Sequence, residues 1–184
     1  MSIEERLDRI EAHQQIGQLV NRYAFALDSR DFDALGRLYV EDLEGGGRAQ
    51  VQTDIAKIMK AFYRTMHQIV GHQIDLIDAD HATGRVYTRA EHEQGDAWVD
   101  MAILYFDEYV RRDGIWYFAK RRDLHHLHVS PLSDRPVAPF VPETPWTANR
   151  QPIPAAWGEV WTRYWADTPD EQVAALTSAP VERP

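Results

Sequence analysis

The chain has 184 residues, 44% of them hydrophobic and 11% aromatic, and a formal net charge of -9. That length and apolar content suit one compact domain able to bury roughly two-thirds of its unfolded surface, and exclude the disordered class. The acidic balance excludes a non-specific nucleic-acid or anionic-membrane surface, which would neutralise phosphates with clustered Lys and Arg. The absence of cysteine excludes disulfides, thiolate nucleophiles and thiolate-bound metals.

Glu4, Glu5, Asp8 and Glu11 interrupt the apolar positions near the N-terminus, so no signal-peptide core is expected there. No apolar run reaches the length of about 18 residues that a membrane helix needs, and a cytoplasmic location is the expectation. Ile3, Leu7, Ile10, Leu19, Val20, Tyr23 and Leu27 recur at helical spacing and predict a long amphipathic helix over residues 3–27. Asp28 and Ser29 offer its stop and a cap for a short second helix from Asp31 to Tyr39. The Gly45-Gly46-Gly47 run breaks the pattern, and Ile55, Ile58, Met59 and Phe62 predict a third helix from Asp54 to Met66, ending just before His67.

The period then changes to two. Residues 68–77, 82–93, 98–110 and 115–127 read as four strands, with turns at Asp78-Ala79-Asp80, Gln94-Gly95-Asp96 and Arg112-Asp113-Gly114. Helices followed by a meander predict an α+β architecture, with the helices packed on a curved antiparallel sheet that encloses a pocket. Seven prolines between Ser130 and Pro154 predict an extended segment. Beyond it, Trp157, Val160, Trp161, Tyr164 and Trp165 form an aromatic stripe that needs a partner surface.

Asp28, at the end of the first helix, and His67, at the start of the first strand, could meet at one rim of that pocket. A carboxylate accepting a hydrogen bond from one imidazole nitrogen fixes the tautomer and leaves the other nitrogen as a base. Tyr23, on the same helix stripe, could polarise a carbonyl or protonate a leaving hydroxyl; each of the three equally suits a cap, a strand-start residue or a core aromatic. His92 shares strand parity with Gly84, Val86, Thr88 and Ala90, a small-residue face fit to line a cavity. Tyr63, Trp98 and Tyr105 are candidate pocket walls or ordinary core. Lys120 shares parity with Trp116 and Phe118 and is read either as a desolvated amine or as an exposed charge. His125, His126 and His128 have no carboxylate at recognisable metal-ligand spacing, so no metal is expected and an edge or oligomer contact is the plainer reading.

Tyr23-Ala-Phe-Ala-Leu-Asp28-Ser-Arg-Asp-Phe-Asp-Ala-Leu, His67-Gln-Ile-Val-Gly71-His72, Ala82-Thr-Gly-Arg-Val-Tyr87 with His92, and Tyr109-Val-Arg-Arg-Asp-Gly-Ile-Trp116-Tyr-Phe-Ala resemble, in order and spacing, the SnoaL-like members of the nuclear-transport-factor-2-like superfamily. The resemblance spans residues 3–128 and implies a cone-shaped α+β barrel, with residues 129–184 an extension packing on the cone or on a neighbouring subunit. It is nearest in motif to the bile-acid 7α-dehydratase and scytalone dehydratase branch, and the hexachlorocyclohexane dehydrochlorinase is a further analogy. It implies a cofactor-independent lyase with acid/base residues at Tyr23, Asp28 and His67, and a pocket histidine at His92. His72 stands where relatives often have asparagine, and is carried as a substrate-binding position. The expected substrate is apolar, being aromatic, polycyclic or steroid-like, with deformylation of lignin-derived diaryl compounds one route within aromatic catabolism. The alternatives are an isomerase or polyketide cyclase of the same fold, and a non-catalytic binding module. A homotrimer is the assembly the resemblance implies.

Overall fold

A computed structural model describes residues 1–95, 97–131 and 157–176 of the chain. Helix α1 spans Ile3–Ser29 and opens on a capping box, in which Glu5 N donates to Ser2 Oγ at 3.1 Å and Ser2 N donates to Glu5 Oε2 at 2.7 Å. Its inward face begins only at Ala12 and continues through Ile16, Leu19, Val20, Tyr23 and Leu27. Ile3, Leu7 and Ile10, assigned from spacing to the same stripe, are exposed. Arg30 ends α1 in the left-handed conformation, at φ 64°.

Helix α2 is shorter than expected, Phe32–Gly36, and its cap is Asp31, whose side chain accepts from Ala34 N at 2.8 Å. Tyr39 belongs instead to a parallel bridge with Phe118. Helix α3 covers Gly47–Met59, not Asp54–Met66. The glycine run supplies the reason: Gly45, Gly46 and Gly47 all have positive φ, so the chain turns there and winds into a helix at once. Met66, counted as the last helical position, lies in the first strand and is exposed.

Strands β1 (Thr65–Leu76), β2 (His81–Gln94), β3 (Ala97–Arg112) and β4 (Ile115–Pro131) form one antiparallel meander in the order β1-β2-β3-β4. On β2 every second residue from Ala82 to His92 is buried, the set Ala82, Gly84, Val86, Thr88, Ala90 and His92. Register shifts interrupt the β1–β2 ladder between Ile69 and Gly71, and the β3–β4 ladder at three places including Glu108/Tyr109. Such bulges bend a sheet and re-aim side chains. Helices α1 and α2 pack with the curved sheet around Ile16, Val20, Leu35, Val86, Ala90 and Phe118, all fully buried. Helices on a curved four-stranded antiparallel sheet make the cone-shaped α+β fold.

Helices α4 (Glu159–Trp165) and α5 (Asp170–Ala174) dock on the same cone. Trp161, Trp165 and Val173 form a satellite core with Tyr63, Tyr164 Oη donates to Ala56 O, and Gly95 N donates to Leu176 O. The aromatic stripe is thus covered within the chain and supplies no argument for a contact between subunits. The stretch 132–154, expected to be extended, and the Asp96 turn position lie outside the described residues. So do the side chains of His125, His126 and His128, whose backbones pair in β4 with Leu104, Ile103 and Ala102.

Candidate active site

The space between α1, α3 and the concave face of the sheet is a cavity of about 700 Å³. Its walls are largely apolar, with Leu27, Ile55, Met59, Phe62, Met101 and Ile103 among them, and Tyr23, Tyr39, Tyr105, His67, His92 and Arg121 bring polar atoms to it. An apolar cleft with a few convergent polar groups is the usual form of a small-molecule site. A separate groove of about 520 Å³ on the outer side of α1 holds none of these polar groups.

Asp28 and His67 meet. His67 Nδ1 lies 2.7 Å from Asp28 Oδ1, and His67 N donates to Asp28 Oδ2 at 2.9 Å. Both side chains are at least nine-tenths buried. Thr65 Oγ1 donates to Asp28 Oδ1 at 2.8 Å and itself accepts from Arg30 Nη1 at 2.9 Å. A guanidinium can only donate, so the Thr65 hydroxyl offers its lone pair to Arg30 and its proton to Asp28. With the carboxylate accepting from Thr65 and from the His67 backbone, Nδ1 is the protonated imidazole nitrogen. The Nε2 lone pair is left as the base.

His92 stands beside this pair, its ring 5.3 Å from that of His67 and 4.4 Å from that of Phe62. Burial first, then the charges of His67 and Arg30, hold its imidazole far below the ordinary value, at about 3. It is therefore a neutral ring at physiological pH. Its Nδ1 is buried and makes no hydrogen bond among the described residues. Tyr23 reaches the cavity one and a half turns before Asp28 on α1, edge-on to Tyr105 at 6.3 Å and to Phe118 at 5.9 Å.

Lys120 does not share the face of Trp116 and Phe118. The register runs Tyr109↔Phe118 and then Glu108↔Lys120, so one extra β4 residue, Ala119, inverts the parity. Lys120 is exposed and borders the cavity, while the inward position falls to Arg121, opposite Asp107. The Arg121 side chain is 2% exposed, its guanidinium lies 4.3 Å from the Tyr23 ring centroid and 4.1 Å from that of Tyr105, and its Nε is 3.5 Å from Asp107 Oδ1. None of its three nitrogens makes a hydrogen bond among the described residues. The inward direction of this buried cation is not legible in the sequence, because a bulge leaves no mark in local periodicity.

Two expected pocket residues, Tyr63 and Trp98, lie elsewhere. Tyr63 is buried in the satellite core, with its ring 5.6 Å from that of Trp161. Trp98 is half-buried beside Arg64, whose guanidinium is 5.8 Å from its ring. The end of α3 seven residues earlier than expected turns Tyr63 away from the cavity and toward the C-terminal helices. His72 does not line the cavity; its Nε2 is 3.0 Å from Tyr109 Oη, which donates to Asp107 at 2.7 Å. Among the described residues no group of three or more His, Asp or Glu side chains is arranged to hold a metal ion.

The profile of the SnoaL-like domain matches residues 8–122, well over half of the chain. The chain belongs to the SnoaL-like domain family. The gamma-hexachlorocyclohexane dehydrochlorinase of Sphingobium indicum is 27% identical over 126 residues, covering 62% of this chain and 81% of the enzyme. A crystal structure of a type 2 hexachlorocyclohexane dehydrochlorinase shares the fold with a TM-score of 0.66 at 22% identity, over 73% of this chain and 98% of that one. A scytalone dehydratase-like protein of Novosphingobium aromaticivorans superposes with a TM-score of 0.57 at 25% identity, over 67% of this SnoaL-like chain and 92% of that protein.

Proposed function

We propose that this SnoaL-like protein is a lyase that uses the Asp28–His67 pair to eliminate a small group, water or halide, from an apolar substrate. The observation that carries the reading is the pairing itself, a buried carboxylate 2.7 Å from Nδ1 of a histidine that opens on a 700 Å³ apolar cavity. The family's dehydrochlorinase and dehydratase-like members support elimination over other acid–base chemistry.

His67 Nε2 takes the proton from the carbon next to the one bearing the leaving group. The C–H electron pair becomes the new C=C bond, and the leaving group departs with its own bonding pair, halide as the anion and a hydroxyl as water by taking the Tyr23 proton, which the His67 imidazolium then replaces. Negative charge developing on that group is stabilised by Arg121 and the Tyr23 hydroxyl on the cavity wall, where a preorganised cation in a dry site acts most strongly. Asp28 stabilises the imidazolium formed in the step. The reading draws its base, orienting carboxylate and cation from side chains alone. His92, being neutral, contributes a polar face without adding a second positive charge beside the imidazolium.

The test is mass spectrometry of a panel of chlorinated cyclohexanes, hydroxylated polycyclic ketones, hydroxysteroids and lignin-type diaryl alcohols, incubated with wild type and His67→Ala. Wild type should release water or halide; from a diaryl alcohol it should release formaldehyde and water if His67 Nε2 takes the hydroxyl proton of a hydroxymethyl group instead, the O–H pair forming C=O and the broken C–C pair forming the new C=C as the neighbouring hydroxyl leaves. General acid–base assistance is worth ~10²–10⁴-fold, so His67→Ala should lose that much turnover while keeping its far-UV circular dichroism. A folded His67→Ala that turns over its substrate at the wild-type rate removes the pair from the mechanism. A product of unchanged mass points to an isomerase.

A further inference from the structure

Arg30 occupies a position where glycine is the ordinary choice. It closes α1 in the left-handed conformation, which is unfavourable for a residue with a Cβ. Its side chain is almost fully buried, and its contacts explain the choice. Nη1 donates to Leu27 O at 2.6 Å, to Asp28 O at 3.3 Å and to Thr65 Oγ1 at 2.9 Å, while Nη2 donates to Phe62 O at 3.1 Å and Tyr63 O at 3.2 Å. One guanidinium thus joins the end of α1, which carries Asp28, to the loop and strand that carry Thr65 and His67.

The plane of that guanidinium is covered by the C-terminal helices. Its central carbon lies 5.2 Å from the Trp161 ring centroid and 5.9 Å from that of Tyr164. Trp161 is 2% exposed and packs with Tyr63 and Trp165, while Tyr164 is tied to α3 by its bond to Ala56 O and by Lys60 Nζ, which donates to Tyr164 O. A flat aromatic face over a guanidinium keeps water off it and holds its plane while leaving its edge donors free.

We propose that the C-terminal helices are part of the active site: Trp161 and Tyr164 clamp Arg30, and Arg30 sets the direction of the hydrogen-bond chain Arg30→Thr65→Asp28←His67. Arg30 and Trp161 are positioning residues, since neither lines the cavity. The inference rests on the Asp28–His67 reading above for its catalytic consequence. Without the clamp, water competes for the Arg30 donors, the Thr65 hydroxyl is free to rotate, and Asp28 no longer holds His67 in a single tautomer.

The experiment is ¹⁵N–¹H spectroscopy of the His67 ring in the full chain, needing no substrate. Wild type should show a slowly exchanging Nδ1–H and an unprotonated Nε2. Trp161→Ala should lose that Nδ1–H signal to exchange and show mixed tautomers, and Trp161→Phe, which keeps a flat ring, should retain it. Thr65→Val, nearly isosteric and outside the C-terminal helices, should lose it too, which keeps the inference open to refutation if Trp161→Ala does not fold. An unchanged His67 signal in folded Trp161→Ala, or in Thr65→Val, overturns the proposal, because a merely structural tail or hydroxyl would leave the tautomer alone. A wild type with the expected signal that turns over nothing in the panel counts against the lyase reading and not against the positioning chain.

Discussion

Arg121 and Asp107 form an ion pair with no measurable exposure on the carboxylate side and almost none on the other. Burial raises the Asp107 carboxyl and Arg121 draws it back down. Removing one partner of such a pair is costlier than never having had it, because the survivor is left charged in a low-dielectric interior. Arg121→Met should therefore lose about 3–5 kcal/mol in urea unfolding, and adding Asp107→Asn should recover a good part of that loss. Additive losses in the double variant would mean that the two groups do not act as a pair. The residues Asp28, His67, Tyr23 and His92 could be picked out from the sequence because their placement follows from local features, a helix end and a strand parity. Arg121 could not, because its inward direction comes from an extra residue in the β4 ladder.

Elements here were legible where the pattern is periodic, and less so where a turn resets it. Strand β2 alternates cleanly because one face meets the core, so its small-residue face, from Ala82 to His92, was readable directly. Gly84 on that face has a specific reason to lack a side chain. A Cβ there would stand 2.8 Å from Tyr109 Cε2 and 2.9 Å from Tyr109 Oη. Tyr109 is itself held by Asp107 and His72, so it cannot move aside freely. Gly84→Ala should cost about 1–3 kcal/mol by overpacking, measured as a lower urea midpoint at unchanged slope. Wild-type stability in that variant would show that Tyr109 is loosely held. The third helix is the opposite case: Ile55, Ile58 and Met59 have helical spacing, but the same spacing extends by accident to Phe62 and Met66, and the glycine run, not the apolar pattern, sets where the helix lies.

At the scale of the whole molecule the titrating histidines link folding to pH. Burial holds His92 at about 3 and His72 at about 4, both well below the ordinary 6.5. For His72 burial is the leading cause, followed by the charges of Arg121 and His13. A group whose folded value is depressed binds its proton in the unfolded chain first. Stability is therefore fully present above pH 6.5, and is lost progressively as the pH falls from 6.5 through 4 toward 3. His92 alone should contribute a slope of ~1.4 kcal/mol per pH unit across that window, and His92→Gln should remove about one proton from it. Parallel stability curves for wild type and His92→Gln between pH 6.5 and 4 would mean that His92 accepts its proton without unfolding.

What the sequence determined by itself was the order of elements, the antiparallel meander and the concave face of β2, while the meeting of Asp28 and His67 was one open reading that the family resemblance favoured. These follow from local physics: helical and two-residue periods, turn residues and the short connections that keep consecutive elements adjacent. Only the tertiary structure decided that Arg121 faces inward, that Tyr63 and Trp98 leave the cavity, and that Trp161 and Tyr164 reach back across the chain to cover Arg30. Those outcomes depend on a bulge in strand register and on the docking of segments more than a hundred residues apart. Neither is written in the spacing of neighbouring side chains, because both are settled by the packing of surfaces that exist only once the cone has formed.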